Sequence, residues 1–274
     1  MCKFLSAIVS RDEIYHRDEI DSHELLERSL GMTATARKER EFVRVEFSPD
    51  ADNDLADISK YKLRVDQETT PDWWAERSNY VEEYLREVVK KKIITGYRDL
   101  ILGGCWIVAN GAKVSTVVQS RIIAVCAGGT VQEVCAGGMV QKVWAGGMVQ
   151  KVCDGGTVQE VCYGGTVQEV WAGGTVQKVC DGGMVQKVCA GGTVQEVCAG
   201  GMVQKVCAGG TVQEAWDGGT VQKVWAGGMV QKVCAGGTVQ KVCAGGTVQE
   251  VWAGGTVQKV CYGGIIVRDL RAGK

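Results

Sequence analysis

Apolar and polar positions along this chain follow two different rules, and the change falls near residue 100. Before it, "KFLSAIV", "EFVRVEF" and "YKLRVD" alternate or run apolar, which predicts three strands. "DSHELLERSLG" predicts a short helix capped by Asp21 or Ser22 and ended by Gly31. The longest helix is predicted in "TPDWWAERSNYVEEYLREVVKKKI". There Thr70 offers the cap and Pro71 the first turn, and Trp74, Val81, Leu85 and Val88 form an apolar stripe. Lys90 to Lys92 suit the negative end of its dipole. These elements imply a small α+β cap domain over residues 1–102.

After it the pattern is periodic. Fifteen consecutive nine-residue units run from Val125 to Lys259, with a degenerate sixteenth from Val260 to Arg268. Each reads V-(C/W)-(A/D/Y)-G-G-(T/M)-V-Q-(K/E). The Gly pair, the second Val and the Gln never change across the fifteen, and the first Val changes once, at Ala215. Positions that are invariant or change once, such as Gly137, Gly138, Val131, Val134 and Gln132, are read as the turn and core of the repeat, and the variable ones as its surface.

Nine residues are too few for a helical hairpin, but they suit a β-solenoid whose coils stack in register. The Gly pair marks a sharp turn because glycine adopts positive φ without steric cost. Valine is stiff at χ1 and favours extended backbone. The expected fold is therefore mainly β, with two units per coil and about 4.8 Å between coils; three units per coil stay open. Val131 and Val134 lie three residues apart, so an unbroken strand would put them on opposite faces. A bend at Gln132–Glu133 would turn both inward and leave the charged position in water, which the cost of burying charge favours. The rival, an unbroken strand from Thr130 to Cys135, would expose a face of Val, Trp and Cys.

The phase of the repeat extends upstream through "SRIIAV" and "AKVSTV", placing the start of the solenoid near Gly103 and its body over 103–268. Beyond a regular part at 125–259, "GGIIVRDLRAGK" brings bulk and charge, as a terminal coil needs to resist end-to-end pairing, and 269–274 form a tail.

The segments "MCKFLSAIV", "DSHELLE", "FVRVEFSPD", "LRVDQ", "PDWW" and "LILGGCWIVANGAKV", within residues 1 to 125, resemble the leader of bacterial and phage proteins that continue into pentapeptide-like or other short repeats. The resemblance implies a cap followed by a β-solenoid. It carries no settled activity, so no functional residues transfer. The repeat departs from the pentapeptide pattern in its length and in lacking a regular central Leu.

Composition narrows the chemistry. The chain has 13 Cys, but no sustained apolar leader precedes them and most recur with the repeat, which points to reduced thiols in a cytoplasm. No stretch approaches the roughly 18 apolar residues of a membrane span. Basic and acidic residues number 31 and 32, against both a nucleic-acid-binding rod and a nucleic-acid mimic. A calcium β-roll would need Gly where this repeat has Val131 and Asp where it has Glu133 or, in nine of fifteen units, Lys, so no calcium is expected. A thiol ladder for soft metals, or a disulfide zipper, conflicts with Trp occupying the same slot in five units. An ice-binding Thr array is broken by Met in five of the fifteen units.

Two functional readings remain besides that array. One is a non-enzymatic scaffold, without cofactor or metal, that binds itself or a protein partner through the column holding Cys135, Trp144, Trp171, Trp216, Trp225 and Trp252. The other is a catalytic cap using Cys2 as an N-terminal nucleophile, assisted by His16, Asp21, His23 or Glu24. The cap is short for such a fold, and Cys2 is followed by Lys rather than Gly.

Overall fold

The computed structural model describes residues 5–17, 22–32, 42–51 and 54–271. The chain divides into two compact units, 1–93 and 94–274.

In the first unit, β1 (Leu5–Ser10), β2 (Ile14–Tyr15), β3 (Phe42–Pro49) and β4 (Tyr61–Val65) form an antiparallel sheet in the order β2-β1-β3-β4. The three expected strands are present, and β2 is an added edge too short to carry an apolar pattern. Helix α1 (His23–Ser29) is capped by Ser22, whose side chain accepts from the Leu25 amide, and is followed by Gly31 at φ +65°. Helix α2 (Trp74–Lys92) starts later than Thr70 and Pro71 suggest. A turn over Asp72–Trp73 comes first, with the Trp74 amide donating to the Pro71 carbonyl. Its core stripe is Trp74, Val81, Leu85 and Val89 rather than Val88, because residues four apart stack on one helix face. That stripe and the β-sheet side chains of Val43, Val45, Phe47 and Tyr61 are buried.

The second unit is a parallel β-solenoid with two nine-residue units per coil. Its pairing begins at β5 (Ile93–Ile94) and β6 (Tyr97–Leu102) and continues through β7 (Cys105–Val108), β8 (Lys113–Val118) and β9 (Arg121–Val125). From β10 (Thr130–Cys135) every unit supplies one five- or six-residue strand, ending with β24 (Thr256–Val260) and β25 (Ile265–Asp269). Successive strands belong to alternate sheets, one of ten strands from β6 to β24 and one of eleven from β5 to β25. In the regular coils each paired residue therefore meets one 18 positions away, as Val131 does Val149, whereas the first coils are shorter, with Val114 and Val131 only 17 apart. Ten steps at about 4.8 Å make this unit about 48 Å long.

The inward pairing expected of the bend is present, within a strand that runs unbroken from Thr130 to Cys135. Val131 and Val134 are both fully buried, as are their counterparts along the regular coils as far as Val251, and together they form one continuous core. Each such valine contributes about 1.5–3 kcal/mol of burial. Gln132, read from its invariance as part of that core, lies exposed between the two valines, while Thr130, Val131, Glu133 and Val134 make the ladder pairs with the next coil. Apart from contacts such as Gln204 Nε2 donating to Met184 Sδ at 3.1 Å, nothing in the structure explains why this position never varies.

The two glycines of the turn are invariant for different reasons. The first sits at φ +70° to +84° in the regular coils, as at Gly137 (+76°). The second closes the turn by donating its amide to the Cys/Trp carbonyl three residues back, as Gly138 does to Cys135 at 2.8 Å. A Cβ on this second glycine would strike the preceding coil; on Gly246 it would lie 2.6 Å from the Val224 carbonyl oxygen. Positive φ thus accounts for only half of the pair. All three Asp of the variable turn slot, Asp154, Asp181 and Asp217, also adopt positive φ, near +46°, a conformation Asp tolerates better than most residues.

At the far end, β25 continues the ladder but places Asp269 in register with the core position Val251. Asp269 pairs with Arg271. A charge in the core column opposes addition of a further identical coil.

Candidate functional site

Because consecutive units lie on opposite sheets, each variable column of the sequence becomes two columns in space. The Cys/Trp slot follows the ten-stranded sheet at one edge, which carries Cys135, Trp171 and Trp225. It follows the eleven-stranded sheet at the other, which carries Trp144, Trp216 and Trp252. The proposed interaction residues are therefore not one stripe. Two units per coil already implies this split, by separating odd from even units.

Within each edge the slot is used in two ways. Trp171, Trp225 and Trp252 are 41%, 46% and 47% exposed. Trp144 is half-buried, stacked on Tyr163 with ring centroids 5.0 Å apart and covered by the Lys142 ammonium. Trp216 packs on a buried row of Cys162, Cys180 and Cys198. Cys135 is half-buried.

Burial governs the chemistry of the thiols. It is the main cause holding Cys153, Cys162 and Cys180 protonated, with pKa values pushed up to about 12. Nearby carboxylates add to it: Cys153 Sγ donates to Glu133 Oε1 at 3.1 Å and Cys180 Sγ to Glu160 Oε1 at 3.4 Å. Burial also raises Cys135, Cys189, Cys198 and Cys234. Nucleophiles and soft-metal ligands act as thiolates, so this environment works against both roles. All the cysteines among the described residues are free thiols.

The Lys/Glu slot forms two outward columns of very different character. Along the eleven-stranded sheet the charges read + − + − − + − + from Lys142 to Arg268. Along the ten-stranded sheet they read − + − + + + + + from Glu133 to Lys259. Opposite neighbours pair between coils, Lys151 with Glu133 at 3.0 Å, Lys187 with Glu169 at 2.8 Å and Lys232 with Glu214 at 3.1 Å. Lys187 lowers the pKa of Glu169, with help from the Trp171 indole N–H, as the Cys153 thiol and Lys151 do for Glu133. From Lys187 to Lys259, in contrast, five lysines stand directly beside one another, an arrangement that is repulsive in itself.

The Thr/Met slot also separates. Its longest uninterrupted Thr run on the eleven-stranded sheet is Thr157, Thr175, Thr193 and Thr211, bounded by Met139 and Met229.

In the first unit, Cys2 and Asp21 lie outside the described residues. His16 Nε2 is 3.2 Å from the Tyr84 hydroxyl. Glu24 accepts from the Ser22 hydroxyl beside the cap of α1, which lowers its pKa. His23 is buried, with Nδ1 3.0 Å from Asp66 Oδ2 and Nε2 3.0 Å from the Val45 carbonyl oxygen. Glu46 stands near this pair, so His23, Glu46 and Asp66 bring three ligand-type atoms together. One ring nitrogen of His23 thus faces the Asp66 carboxylate and the other the Val45 carbonyl, contacts that tie α1 to the sheet. A cleft of about 540 Å³ is lined by Ser10, Arg11, Asp12, Tyr15, Met32 and Trp73, among others. None of its described lining residues is a Cys or His.

No described helix is long and apolar enough to cross a membrane. Comparison of the chain with protein-family models, with curated proteins and with solved structures gives no match.

Proposed function

We propose that this protein is a non-enzymatic scaffold whose rigid solenoid presents side-chain columns for self-association or for binding another protein. The observation that carries this reading is Trp171, Trp225 and Trp252, each more than two-fifths exposed on turns fixed by a fully buried valine core. Indole surface held out on a rigid frame is the material of association hot spots, because little side-chain entropy is lost on contact. A reducing compartment such as the cytoplasm suits the free thiols. The likeness of the leader to bacterial and phage repeat proteins fits a build of this kind and adds no chemistry of its own.

Light scattering across a concentration series tests the proposal. The expected outcome is a mass that rises with concentration and falls back when Trp171, Trp225 and Trp252 are all replaced by Ser. A strict monomer that also captures no cellular protein would remove the basis of the reading.

A further inference from the structure

The lysine column on the ten-stranded face calls for a partner that repeats its own charges at the spacing of a coil. Lys205, Lys223, Lys241 and Lys259 have no ion-pair partner among the described residues, and each lies in register with its like-charged neighbours. The eleven-stranded face of a second copy carries Glu160, Glu196, Glu214 and Glu250 one or two coils apart, which can answer Lys187, Lys205 and Lys241 of this column. Resting on the reading that the chain self-associates, we propose that the ten-stranded face of one molecule packs on the eleven-stranded face of the next, with solenoid axes antiparallel.

The direction follows from the path of the chain. Strands of the two sheets run in opposite senses across the coil, so the charged slot lies beside one edge on the ten-stranded face and beside the other edge on the eleven-stranded face. Two copies in the same orientation would set charges against the Thr/Met column. Turning one copy by half a turn about the sheet normal brings the charged columns face to face and reverses its axis.

The charges then select among packings. With coils level, the ten-stranded column meets the eleven-stranded one with opposite signs at six of eight positions, including Lys187 on Glu214 and Lys205 on Glu196. A slip of one coil leaves only two or three opposite pairs among seven. Two eleven-stranded faces brought together in the same antiparallel way match like with like at all eight positions. Two ten-stranded faces give four opposite and four like. Charge complementarity therefore favours the unlike faces at one register, with like charges placed together at the alternatives.

Each face over these coils measures roughly 35 by 16 Å, so the contact would bury on the order of 1,100 Å² in total, near the lower bound for specific association. The contact uses different surfaces on the two molecules and does not close on itself, so it builds open stacks rather than a dimer. Asp269 in the core column disfavours growth along the axis, which leaves the faces as the lateral route.

Sedimentation velocity on the full chain, with folding checked by circular dichroism, tests this. Wild type should form a ladder of species at 50 mM salt, with the half-association concentration rising roughly tenfold at 500 mM. Lys187→Glu/Lys205→Glu and Glu196→Lys/Glu214→Lys should each need roughly tenfold higher concentration alone, and an equimolar mixture should recover wild-type assembly, because each variant then meets its complement. If wild type associates but neither salt nor these variants change it, or the mixture does not recover, the face pairing is wrong while self-association stands. Assembly seen only after adding polyphosphate or single-stranded DNA would also overturn it, by making the lysines a polyanion site. A wild type monomeric under all conditions would remove both readings.

Discussion

Gly137 and Gly138 are neighbours that never vary, yet they answer to different forces. Gly137 needs positive φ, and a Cβ there would have as its nearest neighbour only Gln119 Cγ at 3.8 Å. Gly137→Ala should therefore lose about 1–2 kcal/mol, the usual cost of a left-handed conformation. In Gly138→Ala the new methyl would overlap the Val117 carbonyl of the preceding coil, which must move and disturb the ladder. Its loss should exceed that of Gly137→Ala by at least about 1–2 kcal/mol, read as a lower urea midpoint in equilibrium unfolding. Equal midpoints would mean that the coil spacing yields to admit the methyl. The sequence showed that both glycines matter, but only the stacked coils reveal that one is held by its own backbone and the other by its neighbour's. Gln132 teaches the converse: its invariance suggested burial, and it lies exposed between the two valines.

At the scale of the strand and its turn, the legible part was what repeats. Two valines three apart, with a charge between them that must stay in water, were enough to infer the inward pairing. The beginning of α2 was less legible, because Thr70 and Pro71 carry good helix-start chemistry but the Asp72–Trp73 turn delays the helix to Trp74. The fate of the Cys slot was not legible at all. Identical V-C sequences give a half-buried Cys135 and a buried Cys162, since the neighbours that decide lie 18 residues away. The buried thiol row gives the edge a pH signature. Unfolded thiols ionise near 9.0, whereas Cys153, Cys162 and Cys180 hold their protons to about 12 in the fold. The folded state then binds more of these protons than the unfolded one between these values, so the thiols' contribution to stability should be flat below pH 9 and decline from pH 9 toward 12. Denaturant midpoints taken across this range check it, and Cys153→Ala/Cys162→Ala/Cys180→Ala should flatten the decline.

On the scale of the whole solenoid, the chain could be read as two units per coil, but the difference between its two faces could not be seen without sorting units into odd and even. Sorted, a nearly neutral repeat separates into a balanced face and a strongly cationic one, and a single aromatic stripe into two. This gives the repeat a parity. Every coil position presents the same valines and glycines, so the core is indifferent to which sheet a unit joins. Deleting two units, Val170 to Lys187, should return every later residue to its own sheet and keep both faces. Deleting one, Val170 to Lys178, should leave a folded solenoid of similar stability in which all later residues change sides. Lys205 to Lys259 would then continue the other column, and Trp225 would move to the opposite edge. Circular dichroism and urea midpoints should be alike for the two deletions, while their association at low salt should differ. A repeat that tolerates loss of any unit thus carries a surface whose meaning depends on whether the number lost is even.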